Sequence, residues 1–177
     1  KSLLKDFYQT PPKVQGRSYM PLIANKYVIF PYKNGKIIDY NTMEDKYPNT
    51  LEYFTNHKQD ILPKVMGGKR DVQYCVEWYQ YGRTQFLKES NVDKIIVGVM
   101  TNQPNFNIDR KRMLIASGGT AGYIALMKKE DSPYSLEYIQ AWLSHSFTDM
   151  IFQTIGSSFE GDFYTHGTSM YEDIPLL

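Results

Sequence analysis

The stretch SLEYIQAWLSHSFTDMIFQTIG, residues 135–156, has the longest regular pattern in the chain and indicates its fold class. Apolar side chains recur along it at helical spacing, and Gly156 follows as a typical helix stop. The members of this apolar stripe are Leu136, Ile139, Leu143, Phe147, Met150 and Ile151. The pattern predicts one amphipathic helix of about five turns in the C-terminal part of the chain.

The apolar runs upstream of this helix are short and rich in β-branched residues, which favours strands. KIIVGVM, residues 94–100, predicts a buried strand. LIASGGTAGYIALM, residues 114–127, predicts two short strands joined by a glycine turn. In YVIFPYKNGKIIDY, residues 27–40, the pair Asn34-Gly35 accepts the positive φ values of a tight turn and predicts a hairpin.

A second helix is predicted in PNTLEYFTNHKQDIL, residues 48–62, with Asn49 as its cap and Glu52 three positions later. Helices and strands thus occur in mixed order along the chain. We therefore expect an α/β mixed (α+β) domain with an irregular, partly antiparallel sheet and a long C-terminal amphipathic helix.

The chain has 177 residues, a length that fits one domain with its own core. It contains no apolar run of about 18 residues that would cross a membrane. Cys75 is the single cysteine, so it forms neither an internal disulfide nor a structural metal site by itself. These features predict a cytoplasmic protein with no membrane partner. The 15 tyrosines are unusually many for this length.

The net charge of +1 conceals a division along the chain. Residues 1–129 hold all 20 Lys and Arg against 11 Asp and Glu, a net of +9, and residues 130–177 hold 8 acidic residues and no Lys or Arg, a net of −8. Such a chain can present a basic face to a polyanion while its acidic part faces elsewhere or docks on a basic neighbour. Alternatively, folding mixes the two signs over the surface. With a polyanion on the basic face, we expect the acidic segment, residues 130–177, to face away from that polyanion.

Three separated basic clusters suit a surface that binds nucleic acid, because Lys and Arg neutralise phosphates while Arg, Gln and Asn read base edges. They lie in KVMGGKRD, WYQYGR and IDRKRM. In the second cluster we expect Trp78 and one tyrosine in the core, which leaves Arg83 and Gln85 beyond Gly82 to point outward. Solvated loops are an alternative for all three clusters, and a module that binds peptides through its aromatic surface is another.

The segment EGDFYTHGTS, residues 160–169, permits a different interpretation. It collects acidic residues, a histidine and hydroxyls, so a small metal-dependent hydrolase or nuclease centred on Asp162 and His166 is a second hypothesis. A plain loop has the same composition. The glycine stretch ASGGTAGY, residues 116–123, lacks the Lys-Ser/Thr ending of a phosphate-binding loop and is interpreted as a turn.

The order and spacing of several segments resemble a known family. These segments are YVIFPY followed by NGKII, then KYPNTLEYF, WYQYGRTQFL, KIIVGVM and TAGYIALM, and finally YIQAWLSHSF running into FEGDFYTHGTSMYEDIPL. Together they resemble the TaqI-like C-terminal specificity domain of adenine-specific DNA methyltransferases. The resemblance covers nearly the whole chain, from near residue 20 to residue 177.

The resemblance implies that residues 1–177 form a single DNA target recognition domain, an excised C-terminal part of a larger bacterial restriction-modification enzyme. Such a domain binds double-stranded DNA. A methyltransferase domain of the same polypeptide rotates an adenine out of the base stack and methylates it with S-adenosylmethionine. A nuclease domain belongs to some of these type II restriction enzymes. The chain has neither the Asn/Asp-Pro-Pro-Tyr/Phe motif nor a glycine-rich cofactor motif, so we expect no catalysis and no cofactor in this fragment.

Candidate DNA-binding residues follow from charge and position, because members of the family read different sequences. They are Lys69, Arg70, Tyr81, Arg83, Gln85, Arg110, Lys111 and Arg112. Arg83 is the first choice, since it lies in a segment that carries the resemblance and its guanidinium matches phosphate or guanine. The loop of residues 161–169 is a further candidate for approaching the DNA backbone through its glycines.

Overall fold

The structure is a computed structural model that describes residues 2–9, 22–72, 74–82, 87, 89–115, 122–159, 162–165, 167–172 and 174–175. The chain divides into two compact units. The first comprises Lys1–Lys5 and Tyr27–Asn91, and the second comprises Asp6–Lys26 and Val92–Leu177. The expectation of a single domain over residues 1–177 stays a prediction.

The first unit contains the predicted hairpin. β3 (Tyr32–Lys33) and β4 (Lys36–Ile37) pair antiparallel. Between them Asn34 and Gly35 have φ values of 51° and 76°, a left-handed pair that Asn and Gly tolerate. The hairpin is therefore confirmed, with a ladder of only two residue pairs.

Three helices follow the hairpin: α1 (Tyr40–Lys46), α2 (Pro48–Asn56) and α3 (Lys58–Ile61). The sequence did not predict α1, which begins where the Asp39 carboxylate accepts a hydrogen bond from the Thr42 N–H at 2.9 Å. The predicted cap at Asn49 is wrong, because α2 already begins at Pro48 and uses the fixed φ of proline in its first turn.

The core of the first unit forms around α1 and α2. Its buried members are Ile38, Met43, Leu51, Phe54 and Tyr79, and the partly buried Trp78 packs against them. The Tyr79 ring stacks on Phe54 with centroids 5.4 Å apart, and its hydroxyl donates to the Ile38 carbonyl at 2.6 Å. These contacts hold residues 78–81 (WYQY), which we call the aromatic segment, against the helices.

The second unit is built on β5 (Lys94–Gly98), which lies between β7 (Phe106–Asp109) and β9 (Tyr123–Leu126) and pairs antiparallel with both. All five residues of β5 are buried, so the predicted buried strand is confirmed. Ile95 and Val97 join one apolar cluster and Ile96 joins another, which explains why residues 95–97 are all apolar.

Further strands complete the sheets among the described residues. β1 (Leu4–Tyr8) pairs parallel with β8 (Leu114–Ile115) in a sheet of order β2-β1-β8, where β2 is Lys26–Ile29. β6 (Met100–Thr101) pairs antiparallel with β10 (Tyr164–Thr165). The two strands predicted in residues 114–127 are confirmed as β8 and β9, and the glycine segment of residues 116–121 lies outside the described residues.

The predicted C-terminal helix is divided into α4 (Leu136–Leu143) and α5 (Ser146–Ile155). His145 has an extended backbone with ψ of 143°, and its Nδ1 accepts a hydrogen bond from the Phe147 N–H at 3.2 Å. The Thr148 hydroxyl donates to the Trp142 carbonyl at 2.8 Å. Helix is thus confirmed over most of this stretch, but its continuity through residue 145 is wrong.

These elements confirm the α+β fold class, with short, mostly antiparallel sheets and helices outside them. In the second unit α4 and α5 cover one face of β5, where Leu143, Phe152 and Phe106 are buried together. Among the described residues, no helix is long and apolar enough to cross a membrane.

Candidate nucleic-acid interface

The loop between β7 and β8 carries three consecutive basic residues, Arg110, Lys111 and Arg112, all of them exposed. We call this segment the basic loop. It is flanked by Asp109 at the end of β7 and by Met113, both buried. The Asp109 carboxylate accepts hydrogen bonds from the Lys111 N–H at 2.9 Å and from the Met113 N–H at 2.8 Å. One side chain therefore fixes the path of the loop backbone.

Asp109 is itself held by a buried ion pair. Its Oδ2 lies 2.8 Å from Lys94 Nζ, and the two side chains are only 2% and 4% exposed. The two residues stand opposite each other in the β5–β7 ladder. Because a buried charge without a partner is strongly unfavourable, the pair fixes the carboxylate beneath the loop.

Asp93, just before β5, contacts both arginines of the basic loop. Arg112 Nε donates to Asp93 Oδ1 at 3.0 Å, and Arg110 Nη1 donates to Asp93 Oδ2 at 3.1 Å. These hydrogen bonds, that of Arg112 first, hold the pKa of Asp93 below its ordinary value. One carboxylate thus orders two guanidinium groups.

Arg110 also pairs with Glu137 in the first turn of α4 through its Nη2. The pKa of Glu137 is lowered by its own backbone N–H and then by Arg110. Glu137 belongs to the acidic segment of residues 130–177. The expectation that this segment faces away from the basic residues is therefore wrong at this contact.

Lys111 differs from its neighbours. Its backbone N–H bonds to Asp109, but its exposed side chain makes no hydrogen bond or ion pair with any residue that the structure describes. Its ammonium charge is not neutralised within the basic loop.

In the first unit, Lys69 and Arg70 lie on a tight loop that starts after α3. Gly67 has φ of 85°, and a Cβ on Gly68 would lie 1.9 Å from the Leu62 carbonyl oxygen, so only glycine fits there. Lys69 is exposed. Arg70 is half-buried and uses Nε and Nη2 to donate to the carbonyls of Ile61 at 2.7 Å and Trp78 at 3.1 Å.

Arg70 therefore ties the glycine loop to the aromatic segment. Tyr81 has a similar role: its hydroxyl donates to the Ile29 carbonyl at 2.6 Å, and its ring lies 5.1 Å from that of Tyr32. Burial raises the pKa of the Tyr81 phenol. Both residues have intramolecular contacts that account for their presence, so any contact with DNA would come second to a structural role.

The predicted anchoring of the aromatic segment is confirmed. Tyr79 is buried, and Trp78 packs edge-on against Phe54 while Lys58 Nζ lies 5.2 Å from its ring centroid. Arg83 and Gln85 lie outside the described residues, so their predicted outward position stays a prediction.

In the part of the chain that the structure describes, few of the side chains proposed for the alternative site in residues 160–169 are present. Asp162 is exposed with φ of 60°, Tyr164 and Thr165 belong to β10, and Glu160, Gly161 and His166 lie outside the described residues. No three His, Cys, Asp or Glu side chains among the described residues are placed to hold a metal ion.

Sequence reasoning identified the basic residues but missed the carboxylates that organise them. Arg110 and Asp93 are 17 positions apart, and Arg110 and Glu137 are 27 apart, so the pairing depends on the fold. The local signal was Asp109 itself, because an Asp side chain commonly accepts a hydrogen bond from the backbone N–H two residues later and so favours a turn.

The chain resembles part of a characterised enzyme. It is 33% identical over 164 residues to the type II restriction enzyme and methyltransferase RM.Eco57I from Escherichia coli. The chain is thus related to one part of a restriction-modification enzyme. The aligned region covers 90% of this chain but 16% of that enzyme, so the chain spans about a sixth of the relative's length. No protein-family model matches the chain.

Proposed function

We propose that this chain is the DNA target recognition domain of an adenine-specific DNA methyltransferase or of a combined restriction-modification enzyme. The observation that carries the proposal is the basic loop, where three exposed basic residues stand on a backbone fixed by buried Asp109. The similarity to RM.Eco57I supports it, as does the resemblance of the sequence to the TaqI-like specificity domain. In this proposal the fragment binds double-stranded DNA in the cytoplasm and performs no chemistry.

The chemistry belongs, in the same proposal, to other parts of the parent polypeptide. A methyltransferase domain binds S-adenosylmethionine and methylates the flipped adenine, with or without a nuclease domain beside it. The recognition domain contributes affinity and register, because contacts to phosphates position a protein on the duplex and contacts to base edges select the sequence.

Lys111 and Lys69 suit phosphate contacts best among the described candidates. Both are exposed, and a lysine ammonium on a flexible stem neutralises a phosphate without a fixed orientation. Arg83 and Gln85 are proposed contacts on the strength of their sequence position alone. Arg70 and Tyr81 contribute through the structure of their loop.

Binding of the 177-residue chain to a short DNA duplex at several salt concentrations tests the proposal. Affinity should fall steeply as salt rises, because each neutralised phosphate releases a counterion. Lys111→Ala should weaken binding and lower the slope of log K against log salt by about 1. Lys129→Ala removes the same charge outside the basic loop and should leave the slope unchanged.

Absence of duplex binding at low salt would contradict the proposal. Binding of equal strength to a peptide panel but not to DNA would favour the protein-interaction alternative. Equal slopes for Lys111→Ala and the original chain would remove Lys111 from the set of phosphate contacts.

A further inference from the structure

We infer that Arg112 reads the major-groove edge of a guanine, while Arg110 and Asp93 hold it in position. The inference rests on the proposed function and specifies the ligand of one side chain. Arg110 and Arg112 carry the same charge, but their guanidinium groups have different partners.

The two Nη groups of Arg112 remain available to a ligand. Arg112 bonds to Asp93 through Nε alone, and its two Nη groups make no hydrogen bond with any residue that the structure describes. The side chain is 51% exposed. An arginine has five N–H donors, so the Nη groups retain donors for two parallel hydrogen bonds. Guanine offers two acceptors at the matching spacing, O6 and N7, in the major groove.

Arg110 cannot do the same. Its Nη1 is engaged by Asp93 and its Nη2 by Glu137, so the terminal fork already binds two carboxylates. Its contacts link Asp93 to Glu137. Arg110 is therefore a positioning residue for Arg112.

Local charge favours a base edge over a phosphate at Arg112. The two arginines face two carboxylates, Asp93 and Glu137, so this group of four side chains is neutral overall. A phosphate would meet the nearby Asp93 carboxylate, whereas guanine is an uncharged acceptor. Lys111, which lacks a described partner, provides the uncompensated charge for the backbone.

The backbone at Arg112 supports a specific role. Its φ is 56°, a left-handed conformation that a residue with a long side chain rarely adopts. Such residues cluster at functional sites where the surrounding structure maintains them. Here the Asp109 bonds to Lys111 and Met113 enclose the position on both sides. A glycine or asparagine would fit this backbone better. We therefore attribute the arginine at position 112 to its side chain and not to the backbone conformation.

The Asp93 contact also fixes the plane of the guanidinium before DNA arrives. An arginine that is already oriented loses less rotamer freedom when it forms a bidentate contact. This preorganisation makes Asp93 part of sequence discrimination although it has no donor to offer a base.

The test begins with selection of duplexes from a random-sequence pool by the 177-residue chain. The selected duplex is then remade with 7-deazaguanine, which lacks the N7 acceptor, at one guanine at a time. The original chain should show one guanine whose replacement weakens binding by about 5- to 150-fold. Arg112→Lys and Arg112→Gly should bind both duplexes equally.

The two Arg112 variants distinguish the loss of a base contact from a loss of folding. Arg112→Lys keeps the charge, and Arg112→Gly suits the left-handed backbone, so thermal unfolding should show both to be folded. Arg110→Lys keeps a cation that can pair with Asp93 and so preserves the positioning of Arg112. This variant should keep the sensitivity to 7-deazaguanine, because Arg110 does not contact the base. Asp93→Asn should reduce the discrimination between the two duplexes and strengthen binding to a random duplex, because it frees Arg112 and removes a negative charge.

The outcomes separate this inference from the proposed function. Full sensitivity to 7-deazaguanine in folded Arg112→Lys and Arg112→Gly overturns the inference and leaves DNA recognition standing. A selected sequence without any N7-dependent guanine overturns it as well. Failure of the original chain to bind any duplex overturns the proposed function, and the inference with it.

Discussion

At the scale of single residues, Asp109 does more for the candidate site than any of the arginines. Its carboxylate meets one buried ammonium and two backbone amides, which links β5, β7 and the basic loop. The basic side chains beside it are exposed and depend on this frame for their placement. The residue that organises the loop is therefore buried and is not one of the proposed DNA contacts.

Asp109→Ala should be strongly destabilising, because it leaves Lys94 charged and buried without its partner. Breaking a buried ion pair by removing one side costs about 3–5 kcal/mol in free energy of unfolding. Urea denaturation followed by circular dichroism measures the change. Asp93→Ala is the matched control: it removes a carboxylate whose partners are exposed, so its effect on stability should be much smaller. Equal losses in the two variants would show that Asp109 is not the structural member.

Sequence reasoning reached the basic residues because charge is visible in the sequence. It did not separate Arg110 from Arg112, nor both from Lys111, since that distinction depends on Asp93 and Glu137, which only the fold brings near. Arg70 illustrates the same limit, because a half-buried arginine that donates to two carbonyls looks in the sequence like any basic loop residue.

At the scale of secondary structure, the division of the C-terminal helix shows what periodicity misses. The apolar spacing continues across residues 144–146, yet the buried face shifts at the break. Leu143 is buried in α4, but Phe147 and Met150 are exposed in α5, where Thr148 and Phe152 are buried instead. One continuous helix that buries Leu143 would also bury Phe147. The burial of Thr148 instead requires a break between α4 and α5. The signal was the pair of serines at residues 144 and 146, because serine favours helix caps over helix interiors.

Thr148 should stabilise this junction through its hydroxyl. Thr148→Val keeps the shape of the side chain and removes the bond to the Trp142 carbonyl, so we expect a loss of about 1 kcal/mol in free energy of unfolding. Urea denaturation of purified chains measures it. Thr154→Val is the control, because its hydroxyl bonds to Met150 on an exposed face of α5 and water replaces that bond readily. A loss at Thr148 no larger than at Thr154 would contradict the assigned role.

At the scale of the whole molecule, the contacts of the buried tyrosines account for part of the high aromatic content of the sequence. Several tyrosines have a ring in the core and a hydroxyl that donates to an acceptor within the chain, as Tyr79 does to the Ile38 carbonyl and Tyr164 to the Asp149 carboxylate. Burial, and a hydrogen bond with Tyr123, raise the pKa of Tyr8 to about 12. Burial likewise raises the pKa of Tyr79, Tyr81, Tyr164 and Tyr171.

These raised pKa values predict a loss of stability in alkali. A phenol whose folded pKa lies above its ordinary value of 10 stabilises the fold below pH 10, and this contribution disappears as the pH rises toward 12 for Tyr8. Absorbance at 295 nm should show a late-ionising group of tyrosines in the native chain and none in urea. Tyr8→Phe should reduce the late amplitude. Superimposable titrations of the native and denatured chains would contradict the prediction.

The fold class and the relation to restriction-modification enzymes were accessible from the sequence, because strand and helix patterns are local and the ordered segments are distinctive. The division into two compact units was not, since it depends on contacts between distant parts of the chain. The basic loop shows the same contrast: its composition is evident in the sequence, and the hydrogen bonds from its backbone to Asp109 are not.

The basic loop has a consequence for how new specificities arise. Its three exposed positions lie between two buried residues, Asp109 and Met113, that belong to the frame. Side chains at positions 110–112 can therefore change without altering the packing beneath them. Under the proposed function, divergence at these three positions, by natural drift or by laboratory selection, would alter which DNA duplexes are bound without changing the buried residues that support the loop.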